Sequence, residues 1–248
     1  CSNSFGSQGE ATASGLVKLE MERLGCHLLQ IAQDVAVPAG KALAVDRERF
    51  AEAVTRRVRG NPNIEFVSAD VTELPEADYI IIATGPLTSP GLVATISRLL
   101  EQDQLYFFDA ASPIIVKDSI NFDIAFMQDR YGLEKDAEGN LIPDYSNQSY
   151  VNCPLNREEY DALVAKIIES EKTGLKDFEN ESASYFESCM PVEVIASRGH
   201  QTLRYGPMKP KGLRDPRTGK PPYAVVQLRQ DNAEATLYNM VGFQTNIK

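Results

Sequence analysis

The run DYIIIATGP, Asp78 to Pro86, constrains the fold more than any other stretch of this chain. Three consecutive isoleucines follow Tyr79 with no polar residue between them. Such a run predicts a strand buried on both faces, the environment of a parallel sheet covered by helices. The neighbouring patterns agree. Val17, Met21 and Leu24, with Leu16 beside them, form a helical stripe that ends at Gly25. Asp46 can cap a second helix in which Phe50, Val54 and Val58 recur every four residues and Gly60 supplies the stop. Ile64 and Phe66 alternate with polar residues as in a half-buried strand. Ser89 and Pro90 open a third helix with Leu92, Ile96 and Leu99 on its apolar face, and LYFFDA, Leu105 to Ala110, predicts another strand. Alternating strands and helices of this kind predict an α/β nucleotide-binding-type domain over residues 1 to about 110.

The pattern changes after Pro113. Residues 128 to 150 are polar and loop-like. Asn156 and Glu159 predict a capping box for an amphipathic helix carrying Tyr160, Leu163, Val164, Ile167 and Ile168 and closed by Gly174. Residues 169 to 187 are acidic, and two β-rich runs, Tyr223 to Leu228 and Ala235 to Phe243, flank a turn at Asp231 and Asn232. Residues 111 to 248 therefore read as a second, α+β unit.

Charge is distributed unevenly. From Arg198 to Arg229 there are eight Lys or Arg and one acid, Asp215, in a chain of net charge −10. This stretch is about +7 and the remainder about −17. Its Pro and Gly content predicts a loop whose cations can reach a polyanion, and Lys209, Lys211, Arg214, Arg217 and Lys220 are the candidates. A solvated basic loop is the plain alternative. Tyr205, Tyr223 and Tyr238 lie in or near it, and aromatic rings among cations can stack unpaired bases; Tyr238 reads better as an edge-of-core residue.

The four cysteines, Cys1, Cys26, Cys153 and Cys189, form no CxxC pair, and His27 and His200 have no ligand at metal spacing, so no metal is expected. Reduced thiols and the lack of a long apolar run predict a cytoplasmic chain away from membranes. ATG, Ala83 to Gly85, could let a dinucleotide approach the backbone beyond a strand end, although no GxGxxG occurs here. Cys189 in ESCMPVE is flanked by Glu187 and Glu193, which oppose a thiolate, so its local sequence favours a buried small hydrophobe. Cys1 sits among small polar residues, while Cys26 and Cys153 read as structural. Asp46 and Arg47 are explained locally by a helix cap and an ion pair.

Several motifs in order nevertheless resemble one family: CSNS (Cys1 to Ser4), GLVKLEMERLG (Gly15 to Gly25), VPAGKALAVDRERF (Val37 to Phe50), IATGPLTS (Ile82 to Ser89), LYFFDAASPII (Leu105 to Ile115), CMPVEV (Cys189 to Val194) and GPMKPKGLRDPRTGKPPYAVVQLRQDN (Gly206 to Asn232). The chain resembles the folate- and FAD-dependent tRNA (uracil-5-)-methyltransferase family (TrmFO). The resemblance implies part of a glutathione-reductase-type FAD-binding domain over residues 1–110 and an inserted α+β substrate domain over 111–248, ending at the start of a return to the FAD domain. It implies a flavoprotein that methylates C5 of a T-loop uridine in tRNA, using 5,10-methylenetetrahydrofolate, FAD, and NADH or NADPH. It reverses the local reading of Cys189, which becomes the nucleophile toward uracil C6, with Cys1 as base or second thiol. It places Ala83, Thr84, Gly85, Asp46, Arg47, Arg229, Gln230 and Asn232 at the cofactors and the five basic-loop residues on tRNA phosphates. The GxGxxG of that family is not among these residues, so an internal piece of a longer protein, inactive alone, is expected. A related flavin enzyme acting on the wobble uridine and a non-enzymatic RNA-binding module are the rival readings.

Overall fold

A seven-residue strand, β9 (Ala224–Gln230), organises the larger of the two principal sheets. The computed structural model describes residues 2–85, 88–101, 110–130, 133–135, 141–143, 148–172 and 190–248. In the N-terminal part, β1 (Ser4–Ser7), α1 (Ala13–Arg23), α2 (His27–Asp34), β2 (Ala36–Val37), β3 (Ala42–Val45), α3 (Arg47–Arg59) and α4 (Pro90–Leu100) follow in order. The second part contains β4 (Ile114–Val116), β5 (Phe126–Met127), β6 (Leu133–Lys135), β7 (Leu141–Pro143), β8 (Tyr150–Leu155), α5 (Arg157–Glu169), α6 (Val192–Ser197), α7 (Thr202–Tyr205), β9 and β10 (Leu237–Met240). The strands form sheets of order β1-β3-β2 and β4-β10-β9-β8-β5, plus the hairpin β6-β7. Every pairing among the described residues is antiparallel.

Register explains the two faces of the large sheet. Directly opposed residues share a face in an antiparallel pair. Val151, Cys153 and Leu155 of β8 therefore lie with Leu228, Val226 and Ala224 of β9. This apolar face packs on Tyr160, Val164 and Ile167 of α5, with Val192 and Ala196 of α6 and Leu203 of α7 completing the core. The opposite face carries Tyr150 and Asn152 beside Arg229 and Gln227, and Asn239 beside Arg229. Asn152, Gln227, Arg229 and Asn239 are all buried. A buried polar row needs internal partners. Asn152 Nδ2 donates to the carbonyls of Phe126, Gln128 and Tyr150, and Gln227 Nε2 donates to Asn152 Oδ1 at 3.0 Å.

Local signals placed several helices well. Asp46 caps α3 by accepting from Arg49 N at 2.9 Å, and Gly60 ends it. Asn156 and Glu159 form the reciprocal capping box of α5. That helix ends at Glu169 with Ser170 as its cap; Gly174 lies outside the described residues. Ser89 caps α4 by position only, without a side-chain hydrogen bond.

Other expectations are corrected. Residues 61 to 84 contain no strand, and neither Ile64–Phe66 nor the Asp78–Pro86 run pairs with anything described. Tyr79 and Ile81 are 93% and 91% exposed. A doubly buried strand requires neighbours on both edges and layers on both faces, and no described element lies there. The helical stripe of α1 is present, but Leu16, Val17 and Leu24 face outward. Val17 lines an apolar groove of about 460 Å³ together with Phe5, Met21 and Leu28. Residues 128–150 are not simply loop, because β6 and β7 pair with Leu133 opposite Pro143. The expected strand from Leu105 lies outside the described residues except for the buried Ala110.

Adjacent isoleucines in α5 test the packing. Ile167 is 5% exposed and Ile168 is 44% exposed. Ile167→Ala is expected to cost about 3 kcal/mol by removing core contacts, and Ile168→Ala under about 0.5 kcal/mol. Urea unfolding of both variants checks this; equal losses would contradict the assigned helix face.

Candidate functional site

Three distant segments meet where β3 ends and α3 begins. Asn3, nearly fully buried, donates through Nδ2 to Val45 O and Gln230 O, each at 2.9 Å, and accepts from Arg229 Nε at 2.9 Å. The Asn3 carbonyl accepts from Val45 N at 2.9 Å. Arg229 Nη2 also donates to Ser2 Oγ. One asparagine thus joins β3 to β9 through both ends of its amide.

The remaining contacts close this junction. Asp46 Oδ2 accepts from Ala233 N at 2.8 Å while its Oδ1 caps α3. Burial alone would raise the Asp46 pKa, but the backbone N–H groups of Arg49 and Ala233 and the charge of Arg49 outweigh it and hold the carboxyl below its usual range. Arg47 Nη2 pairs with the buried Asp231 at 2.8 Å. Arg49 pairs with Glu234. Burial lowers the Arg229 pKa from its ordinary value, opposed by nearby Tyr150 and Asp231. Burial raises the Tyr150 phenol, whose hydroxyl donates to Ala39 O at 3.0 Å.

Five of the expected cofactor residues, Asp46, Arg47, Arg229, Gln230 and Asn232, are therefore brought together. Most of their polar atoms already have partners. Gln230 Nε2 donates to Asn232 O at 2.8 Å, and Asn232 Oδ1 accepts from Thr236 N and Leu237 N. Ala83, Thr84 and Gly85 are not joined to this cluster by any hydrogen bond or ion pair among the described residues. They form an exposed turn in which Thr84 and Thr88 hydroxyls meet at 2.6 Å and Gly85 adopts φ +71°. A cleft of about 340 Å³ opens beside the junction, where Asp46, Glu48, Glu52, Asp231 and Glu234 outnumber Arg47 and Arg49. Excess carboxylate suits hydroxyl or amino groups and disfavours a diphosphate. The residues lining this cleft therefore do not fit the diphosphate of a dinucleotide.

The basic segment is more ordered than its composition predicts. Met208 and Leu213 are buried, and Leu213 packs with Val225 and Phe126 on the polar side of the sheet. Val225 N donates to Met208 O, and Arg214 N to Gln128 Oε1, both at 3.0 Å. Gly212 has φ +82°, and a Cβ there would lie 1.9 Å from Arg130 O, so only glycine permits this approach. Buried Asp215 folds the following turn and takes the Arg217 guanidinium at 3.1 and 2.7 Å. The Arg217 hydrogen bonds hold the Asp215 carboxyl below its usual range despite burial. Arg217 is thus engaged internally. Lys209, Lys211, Arg214 and Lys220 make no ion pair among the described residues.

Neither expected catalytic cysteine, Cys1 nor Cys189, lies within the described residues. Their neighbours do: Ser2 touches Arg229, and buried Met190 and Pro191 lead into α6. Burial raises the Cys153 thiol pKa, as fits a structural cysteine. Among the described residues no cluster of three His, Cys, Asp or Glu could hold a metal, and no helix is long and apolar enough to cross a membrane. Sequence reasoning missed Asn3, Tyr150 and Asp231; the alternation of Gln227 and Arg229 with apolar residues in β9 was the available signal.

The family model for glucose inhibited division protein A matches residues 1–248. The chain belongs to this family. Members of the family among curated proteins include one from Pelotomaculum thermopropionicum, 51% identical over 248 residues, and one from Desulfotalea psychrophila, 50% identical over 249 residues. A Trichormus variabilis protein is 48% identical over 248 residues. All three are named methylenetetrahydrofolate--tRNA-(uracil-5-)-methyltransferase TrmFO. The alignments cover 100% of this chain and 53–54% of those family members. The chain thus spans about half the length of the curated relatives it matches.

Removing the Asn3 amide should break the junction. Asn3→Ala leaves Arg229 Nε and two carbonyls without partners, so a loss of about 3 kcal/mol in chemical unfolding is expected. Acid titration gives a second test. Because the folded pKa values of Asp46 and Asp215 are lowered, their stabilisation is present above the ordinary carboxylate value of 3.8 and is lost as pH falls through the folded values. Asp46→Asn should flatten that acid limb in a melting series; an unchanged limb would contradict the assignment.

Proposed function

We propose that this chain carries the substrate-binding half of a methylenetetrahydrofolate- and FAD-dependent enzyme that methylates C5 of the T-loop uridine in tRNA. The observation supporting it most directly is a basic loop leading into one end of β9 and the Ser2–Asn3 segment bonded to its other end, in a chain about half identical to enzymes of that name. Residues 1–110 would belong to a glutathione-reductase-type FAD-binding domain and 111–248 to an inserted substrate domain. Lys209, Lys211, Arg214 and Lys220 would take backbone phosphates, which gives affinity without sequence readout.

Uracil C5 is a weak nucleophile. Addition of the Cys189 thiolate to C6 forms an S–C6 bond and moves an electron pair toward C5, which then attacks the one-carbon unit. Loss of the C5 proton expels the folate nitrogen and leaves an exocyclic methylene at C5; a hydride equivalent, which reduced FAD would supply, makes it a methyl, and expulsion of the Cys189 thiolate restores the C5–C6 double bond. Cys1 precedes Ser2 in the sequence and would act as base or second thiol. Buried Arg229 beside Ser2 would favour a thiolate or enolate charge there. FAD, recharged by NADH or NADPH, would supply the reducing equivalents, and the cleft residues described above do not hold its diphosphate. A base in a folded loop must be flipped out to reach such thiols.

In the enzyme of full relative length, Cys189→Ala should lower 5-methyluridine formation by at least about 10³-fold from the loss of covalent activation, while Cys153→Ala should leave it within about twofold. Mass analysis of modified tRNA reads both. Methylation at a wobble uridine, or normal turnover without the Cys189 thiol, would sink this proposal.

A further inference from the structure

The basic loop begins with an aromatic device that phosphate binding does not require. Tyr205 is 72% exposed, although it lies between the fully buried Leu203 and Met208. Those two anchors fix the backbone, so the tyrosine projects outward. Its neighbour Arg204 is held firmly. Arg204 Nε donates to Tyr223 O at 2.9 Å, and its Cζ lies 4.2 Å from the Tyr223 ring centroid and 5.5 Å from that of Tyr205. Nη1 donates to the Tyr205 hydroxyl at 3.4 Å. Tyr223 is supported in turn by Tyr160 at 5.5 Å and by Gln201 at its hydroxyl. The result is a stack of ring, guanidinium and ring, with the outermost ring open to solvent beside cations that have no ion-pair partner.

We infer that Tyr205 is a stacking platform for an unpaired base of the bound tRNA. This rests on the nucleic-acid reading of the loop given above. Nucleobases stack on aromatic faces regardless of identity, and an adjacent guanidinium strengthens the contact. Tyr223 precedes β9 and Arg229 lies near its far end, so the stack stands about 20 Å from the Ser2–Arg229 junction at strand rise. The platform holds an unpaired nucleotide while phosphates rest on Lys209, Lys211 and Lys220.

Fluorescence anisotropy with unmodified tRNA transcript, at several salt concentrations, tests this. Tyr205→Ala should weaken binding about 10-fold at every salt concentration, and Tyr205→Phe should stay within about twofold. Lys211→Gln should instead reduce the salt slope by about 0.9. Affinity for a perfect RNA duplex should not respond to Tyr205→Ala. Unchanged tRNA affinity in Tyr205→Ala, with the Lys211 effect present, overturns the stacking and leaves the polyanion face intact. Silence of both variants, or no tRNA binding by the parent chain, overturns the nucleic-acid reading as well. Equal losses on tRNA and duplex, or in the Phe variant, overturn base stacking in favour of a hydroxyl or backbone contact.

Discussion

The interaction on which the rest depends is the buried contact of Asn3 with Arg229. A guanidinium can be buried only if its donors find acceptors and its charge finds compensation. Asn3 and Ser2 accept from it, and Tyr150 and Asp231 lie close. The same asparagine ties the β3 carbonyl at Val45 to the β9 carbonyl at Gln230. Two sheets that share no strand are thereby held in one register. Asp46 repeats the arrangement one residue farther along, capping α3 and gripping the β9–β10 turn at Ala233. Polar groups make this seam rather than apolar contacts, so its geometry is specified by direction as well as by proximity.

The large sheet converts that seam into a functional surface. Its apolar face satisfies α5, α6 and α7. Its polar face would be costly to bury alone, and the basic loop helps to cover it through Leu213, while the Arg214 backbone N–H satisfies Gln128 Oε1. Those inward attachments leave the side chains of Lys211, Arg214 and Lys220 pointing out. A loop rich in Pro and Gly is therefore a fixed scaffold here. Gly212 is the necessary exception to side-chain packing, because the loop backbone passes against Arg130.

Legibility in the sequence followed the range of the forces involved. Helix α3 and the capping box of α5 were legible because caps and four-residue periodicity act within one or two turns. Strands β9 and β10 were legible from β-rich runs on either side of Asp231 and Asn232. The Tyr79–Ile82 run failed because apolar composition states a demand for burial without naming the element that meets it. The α1 stripe failed for the same reason: helical periodicity was right, yet its apolar face borders an open groove. At the site, Arg229 was named only as one cation of the basic stretch and through the family resemblance, and Asn3 was not singled out, since a contact spanning 226 residues leaves no local signature.

Charge placement carries the last step. A chain with thirty-five acids and twenty-five Lys or Arg has ample means to neutralise its cations. Arg47, Arg49, Arg98 and Arg217 are in fact paired with carboxylates. Among the described residues Lys209, Lys211, Arg214 and Lys220 are not, and they share one loop whose sole acid, Asp215, is buried and consumed by Arg217. Exposed ion pairs add little to stability, so withholding partners from these four costs the fold little. It yields a positive loop in a chain that is otherwise net negative. Such a field orients an approaching polyanion before contact, and under the proposed function it is this loop, rather than the acidic cleft beside Arg47, that would meet the nucleic acid.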